Sequence, residues 1–165
     1  MTERKYLAHF LDGAFDTTYA ASAYVRLGKD LEEYSLSLSP SVESKQNILG
    51  ENSVVVNGYT ASSEVTPYYY EYDESLSEKI MEIGMKRITG DGCKTSTVDV
   101  LLKPGATEDD APTVVWARRE DCFVVPNSIG GNTSGVQMPF TIHRAGNITE
   151  GTFDLSTKKF TASSL

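Results

Sequence analysis

Apolar residues in this chain recur mostly at every second position, the spacing of half-buried strands. "AYVRLGKDLEEYSLSLSPS" reads as two strands around a Gly28-Lys29-Asp30 turn, with Tyr34, Leu36 and Leu38 alternating against Glu33, Ser35 and Ser37. Pro40 is expected to end the second strand. The stretch about 39–53, from Ser39 to Ser53, is polar and turn-rich except for Val42 and the pair Ile48-Leu49. Compact domains use loops of that length for function or partner contact more often than not. "VVVNGY" then resumes as a strand, so the segment reads as a long hairpin with an apolar pair at its tip.

The period changes to that of a helix once. Leu76, Ile80 and Ile83, with Met81 and Met85 beside them, predict a helix over about 74–87 whose outer face carries Glu74, Glu78, Lys79 and Glu82. Asp73 or Ser75 is the expected cap, and Ser75-Leu76-Ser77-Glu78 has the spacing of a capping box. Acidic residues early and Lys86, Arg87 late suit the helix dipole. Gly90-Asp91-Gly92 closes the segment as a turn.

Strand patterning returns downstream in "TSTVDVLL" (95–102), "TVVWARREDCFVV" (113–125), "SGVQMPFTIH" (134–143), "GTFDLS" and "KKFTA", separated by the turn-rich "KPGATEDDAP", "PNSIGGNT" and "RAGN". The 113–125 run is long enough to serve two sheets or to bend at a bulge. The fold class expected is α+β, mainly β: a β-sandwich or small barrel with one flanking α-helix and a long hairpin loop, residues 1–165 making a single domain.

Composition narrows the function classes. The longest apolar runs, such as Val54–Val56, fall far short of the roughly 20 residues a spanning helix needs. "MTERKYLAHFLDGAFDT" lacks the uninterrupted apolar stretch of an export signal, being broken by His9 and Asp12, so a cytoplasmic site of synthesis and no membrane partner are expected. A net charge of −8 disfavours phosphate-backbone binding as a function, since nucleic-acid affinity comes largely from Lys and Arg.

Candidate chemistry is sparse. His9 and His143, the only histidines, stand in unrelated contexts and read as structural or surface residues. Cys93 and Cys122 lack metal-ligand or redox spacing and read as reduced, structural thiols. Glu108-Asp109-Asp110 could hold a hard cation but lacks an alternating ligand pattern, so a solvated loop tip is the better reading. Asp91-Gly92-Cys93-Lys94-Thr95 lacks phosphate-loop spacing, and Gly130-Gly131-Asn132 reads as turn glycines. No catalytic residue, metal site or cofactor is therefore expected. Arg118 and Arg119 point to opposite faces of a strand, and at least one should pair with a carboxylate across a strand or a subunit boundary.

Tyr68, Tyr69, Tyr70 and Tyr72 are interleaved with Glu71, Asp73 and Glu74. A base-stacking platform needs cations beside its aromatics, so these tyrosines read instead as a packed strand ahead of the helix, with Tyr68, Tyr70 and Tyr72 sharing one face.

Three stretches together, "YVRLGKDLEEYSLSLSPSVESKQNILGENSVVVNGY", "DESLSEKIMEIGMKRITGDGC" and "GGNTSGVQMPFTIHRAGNITEGTFD", resemble the major tail tube proteins of long-tailed bacteriophages and prophages of Gram-positive hosts. The likeness runs from about Tyr24 to Phe160 and lies in the combination and order of segments. It implies a fold shared with contractile-tail and type VI secretion tubes. In these, hexameric rings stack into a tube, inner strands join into a barrel around a lumen, and DNA passes without specific binding.

Such a protein would be made and assembled in the bacterial cytoplasm, reside in the virion tail, and meet tape-measure, terminator and initiator proteins. An acidic lumen suits a DNA conduit, because it repels phosphates and lets the duplex slide. The resemblance gives the hairpin a role on a neighbouring subunit or ring, ordering on assembly, with Val42, Ile48 and Leu49 as apolar contacts and Arg118 and Arg119 as charged ones. The alternatives are a tail terminator or other ring protein of the same fold, a ligand-binding β-sandwich with Trp116 and the tyrosines lining a cleft, and an enzyme built on Glu108–Asp110 or the cysteines.

Overall fold

The computed structural model describes residues 1–104 and 113–163, so the Glu108-Asp109-Asp110 cluster lies outside the described residues. The chain is mainly β, with one α-helix beside a curled antiparallel sheet. In chain order the elements are β1 (Leu7–Asp12), β2 (Tyr24–Leu27), β3 (Leu36–Ser37), β4 (Pro40–Gln46), β5 (Asn52–Tyr59), β6 (Ser62–Val65) and α1 (Ser75–Lys86). Then follow β7 (Lys94–Lys103), β8 (Thr113–Pro126), β9 (Gly130–Asn132), β10 (Gly135–Gln137), β11 (Phe140–Arg144), β12 (Thr149–Asp154) and β13 (Lys159–Ala162). The main sheet runs β2-β1-β7-β8-β11-β6-β3, with β12 joining β8 and β13 joining β12.

Strand β8 organises this sheet. One edge pairs with the whole of β7 over Thr113–Phe123, with a register shift at Leu101/Leu102. Its other edge is shared: β12 takes Ala117–Arg119 and β11 takes Cys122–Pro126. The stretch "RAGN" is therefore not a reversal between hairpin strands. Residues 145–148 loop out of what is otherwise one long partner strand, opposite Glu120 and Asp121, and those two residues hold the excursion. Gly146 donates its amide to Glu120 Oε2 at 2.7 Å, Ala145 donates to the Asp121 carbonyl, and Asn147 Nδ2 donates to Asp121 Oδ2 at 2.6 Å. A long strand serving two neighbours and a bulged edge is what the 113–125 pattern allows.

Alternation splits the core between the two faces of the sheet. On one side Leu11, Cys122, Val124, Phe140 and Ile142 pack against Leu76 and Ile80 of α1, all fully buried. On the other, Ala8, Phe10, Val98, Val100 and Ala117 meet Tyr24 and Phe153, with the β12–β13 hairpin curling over them.

Several local expectations are corrected. Leu7–Asp12 is a central buried strand, although His9 and Asp12 interrupt its apolar run, because both polar side chains are fully used. The Asp12 carboxylate accepts the amides of Ala14, Asp16 and Ala23. The 24–38 segment does not close on itself: β2 pairs with β1 and β3 with β6. Leu27, Leu31 and Tyr34 are drawn toward the core under α1, which pulls the two halves apart, and Leu36 and Leu38 are left exposed. The 39–53 stretch is mostly strand, not loop. Pro40 begins β4 instead of ending its predecessor, at a strand start where a missing N–H costs little.

The 134–143 run divides at Met138-Pro139. Its first part, β10, pairs in a short ribbon with β9, which lies inside the turn-rich "PNSIGGNT" stretch. There Gly131 has φ +141, and a side-chain carbon on it would lie 2.0 Å from the Gly135 carbonyl oxygen, so the ribbon requires glycine.

The α1 boundaries match the apolar period, but the capping box does not form. Ser75 is the first helical residue and not the cap, and Glu78 accepts from the Tyr70 hydroxyl instead of folding back, while Ser77 Oγ is shared between the Tyr68 hydroxyl and the Glu71 amide. Glu74 stands at the cap position without a side-chain bond, and Asp73 is left-handed. The other end closes through Arg87, also left-handed, with the amides of Arg87 and Ile88 both donating to the Ile83 carbonyl. Met85 faces solvent, 70% exposed, while Ile80 is fully buried. In urea unfolding, Ile80→Ala is expected to cost about 2–5 kcal/mol and Met85→Ala less than about 0.5 kcal/mol. Equal effects would place the helix in the wrong rotation.

Candidate assembly interface

Strands β4 and β5 form a separate two-stranded ribbon, and every residue of either strand except Gly58 is exposed. Valines are strong strand formers on a pleated surface, and here Val42 pairs directly with Val56 and Ser44 with Val54. Period-2 alternation therefore puts Val42, Val54 and Val56 on one face. The other face carries Glu43, Lys45, Ser53 and Asn57 beside Val55, with a Glu43–Lys45 ion pair at 3.6 Å. The ribbon is thus amphipathic, with its apolar face in water.

Its tip is tightly built. Asn47 Oδ1 accepts the amides of Leu49 (2.9 Å) and Glu51 (3.0 Å), Asn47 Nδ2 donates to the Glu51 carboxylate at 2.7 Å, and Gly50 takes the left-handed backbone that closes the turn. Those bonds consume the polar side chains inward and project the two apolar ones outward: Ile48 is 103% and Leu49 77% exposed. The turn is held without help from a partner, so the tip is presented ready-made.

A two-stranded ribbon alone is marginally stable in water, and solvent-facing apolar surface of this kind marks sites of association. The chain also has an apolar recess of about 430 Å³ between the end of α1 and β8, lined by Ile83, Ile88, Phe123, Val125 and Pro126 with Arg87 at its rim.

The two arginines separate as strand geometry requires. Arg118 reaches across the β8–β12 pairing to Glu150, Nε to Oε1 3.3 Å, and lies over the Trp116 ring at 4.5 Å. Arg119 projects from the opposite face and stacks on Tyr19 at 3.7 Å and Phe160 at 4.8 Å, with no carboxylate in ion-pair range among the described residues. Val42, Ile48 and Leu49 thus share one projecting ribbon, whereas Arg118 and Arg119 sit on the body. Tyr68 stacks edge-on against Phe140 and Tyr70 lies against the same core, but Tyr72 turns out to solvent. Trp116 lies ten residues along β8 from Pro126, the partner of Phe140, or roughly 30 Å of strand. Trp116 and Tyr68 therefore do not wall one cleft.

The sequence offers no signal for the most elaborate polar cluster. Arg144, with a side chain only 1% exposed, contacts Asp99 through Nη1 at 2.8 Å and Nη2 at 3.4 Å and approaches Glu120 at 3.6 Å. Asp99 Oδ1 accepts from His9 Nδ1 at 2.6 Å, and Arg4 donates to His9 Nε2 at 3.0 Å and to the Tyr34 carbonyl at 2.9 Å. Arginine only donates and carboxylate only accepts, so the ring proton resides on Nδ1. The nitrogen a general base would use is already occupied, and the cluster ties β1, β7, β8 and β11 together. Burial works to raise the Asp99 carboxyl, but the His9 hydrogen bond and the Arg144 charge outweigh it and hold Asp99 below its ordinary value.

Cys93 and Cys122 are both free and buried. Burial pushes the Cys122 thiol up to about 12 and raises Cys93, whose Sγ donates to the Ile88 carbonyl. His143 lies exposed on β11. Among the described residues no three His, Cys, Asp or Glu side chains are grouped to share a metal ion, and no helix is long and apolar enough to cross a membrane.

Removing Arg144 takes the buried cation away from the Asp99 and Glu120 carboxylates, so Arg144→Leu is expected to cost about 3–5 kcal/mol in urea unfolding. Because the folded Asp99 pKa lies below its unfolded value, its contribution is complete above the ordinary carboxylate range and is lost as pH falls through the folded value. Stability measured from neutral pH downward should therefore decline below about pH 4, and less steeply in Asp99→Asn. Native protein should show no fast-reacting thiol toward a disulfide reagent, and unfolded protein should show both.

No protein-family model matches this chain, and no curated protein does.

Proposed function

We propose that this chain is a structural, ring-forming subunit of the phage tail-tube type, whose hexameric rings stack into an acidic conduit for DNA ejection. The observation that carries the reading is the amphipathic β4–β5 ribbon, which projects Ile48 and Leu49 into water on a preformed turn. A projecting apolar tip together with an apolar recess elsewhere on the same molecule favours head-to-tail contact between copies, the kind that generates rings or open filaments. Burying the two tip side chains is worth about 1.5–3 kcal/mol each before ordering costs, and repetition around a ring multiplies that gain. The curled, mainly β body and the single flanking helix agree with the resemblance, and the net charge of −8 suits a passage for DNA better than a grip on it. Tape-measure, initiator and terminator proteins are the further partners this reading brings.

Negative-stain electron microscopy of concentrated protein tests it. Wild type is expected to give rings or tubes with a central hole, and Ile48→Asp with Leu49→Asp to give a folded monomer with unchanged circular dichroism and no particles. Indefinite tubes identify a tube subunit, whereas particles that stop at one ring identify a terminator. Normal assembly by the double variant would sink the role given to the ribbon.

A further inference from the structure

Away from the ribbon, three cations converge on one small recess of this acidic protein. Arg119 on β8, Lys158 in the turn before β13 and Lys159 at its first position line a hollow of about 120 Å³ together with Tyr19, Ser22 and Phe160. Successive strand residues point to opposite sides, but Lys158 is left-handed, φ 55, and donates its amide to the Asp154 carbonyl at 2.7 Å. That turn breaks the alternation and lets two neighbouring lysines line the same hollow.

Arg119 lies over the Tyr19 and Phe160 rings, and its N–H groups have no carboxylate in ion-pair range among the described residues. The nearby carboxylates are engaged elsewhere. Asp121 takes the Tyr19 hydroxyl and Asn147 and lies 4.0 Å from Lys94, while Asp154 is held by the Ser156 amide and hydroxyl and the Thr157 amide. Ser22 Oγ is buried and has no hydrogen-bond partner. A buried hydroxyl without a partner costs free energy unless a ligand or water satisfies it.

We propose that this hollow is a binding site for a phosphate-class oxyanion. A single carboxylate would match only one of the three cations, whereas a doubly charged tetrahedral anion presents oxygens to the Arg119 fork, both ammonium groups and the Ser22 hydroxyl together. The volume equals that of about four waters at roughly 30 Å³ each, enough for one phosphate group and too small for a nucleoside. The anion is therefore either free phosphate or the terminal phosphate of a monoester whose remainder stays outside. The site is independent of the tube reading, since its residues do not belong to the ribbon.

Calorimetric titration of the full chain with inorganic phosphate, and separately with glycerol phosphate, at constant ionic strength tests the assignment. Saturable binding in the roughly millimolar range or tighter is expected. It should weaken at least about tenfold in Lys158→Gln with Lys159→Gln, whose side chains are exposed and not needed for folding, and also in Arg119→Gln. Equal binding of both probes identifies a site open to phosphate monoesters, and binding of inorganic phosphate alone identifies a site for the free anion. No saturable heat with either probe, or unchanged binding in the lysine variant, overturns the proposal.

Discussion

The structure depends on one shared strand. β8 carries β7 along one edge and divides its other edge between β12 and β11, so every element of the main sheet is linked to it directly or through one of these neighbours. The division falls at Glu120 and Asp121, where four residues of the partner strand loop out opposite two. Glu120 and Asp121 hold the exposed loop in place: the Glu120 carboxylate accepts the Gly146 amide, the Asp121 carbonyl accepts the Ala145 amide, and the Asp121 carboxylate accepts the Asn147 side chain. The buried Arg144 begins at the same point, and its charge is balanced by Asp99 and Glu120. Curl, loop and ion cluster are thus one arrangement: a bulged strand needs local acceptors, and the acceptors need a buried cation.

The body and the ribbon meet opposite fates in water. Body strands hide an apolar residue at nearly every second position, and most of their buried polar groups find partners within the chain. In β4 and β5 the same alternation builds an apolar face that no described residue covers. Free energy left unrealised in the folded chain is available to association, and the hydrogen-bonded Asn47 turn lowers the ordering cost of using it. That contrast, more than any pocket, is why the chain reads as a building block.

Elements with strong local period were legible in the sequence. The helix was visible because Leu76, Ile80 and Ile83 recur on one face, and β7 and β8 because long alternating runs have few other solutions. The ribbon tip was visible as an apolar pair in polar surroundings. What escaped depended on distant partners. β1 contains His9 and Asp12, which look like interruptions until Asp99, Arg4 and the 14–23 amides are placed around them. The capping box does not form because the helix begins one residue earlier than the box requires, at Ser75, and Tyr70, arriving from outside the helix, claims the Glu78 side chain. Arg119 was recognisable as a charge on one strand face, but its hollow needed β13 and the β1–β2 connection, which no spacing reveals.

The central claim is that the Pro40–Tyr59 ribbon is the contact surface between copies. Amide hydrogen exchange followed residue by residue, in dilute protein and again under assembling conditions, addresses it most directly. The account predicts fast exchange across β4, the Asn47 turn and β5 in dilute solution, and strong protection of those amides in assembled particles, with β7 and β8 protected in both. Particles in which the ribbon amides still exchange as fast as in the dilute chain would contradict it.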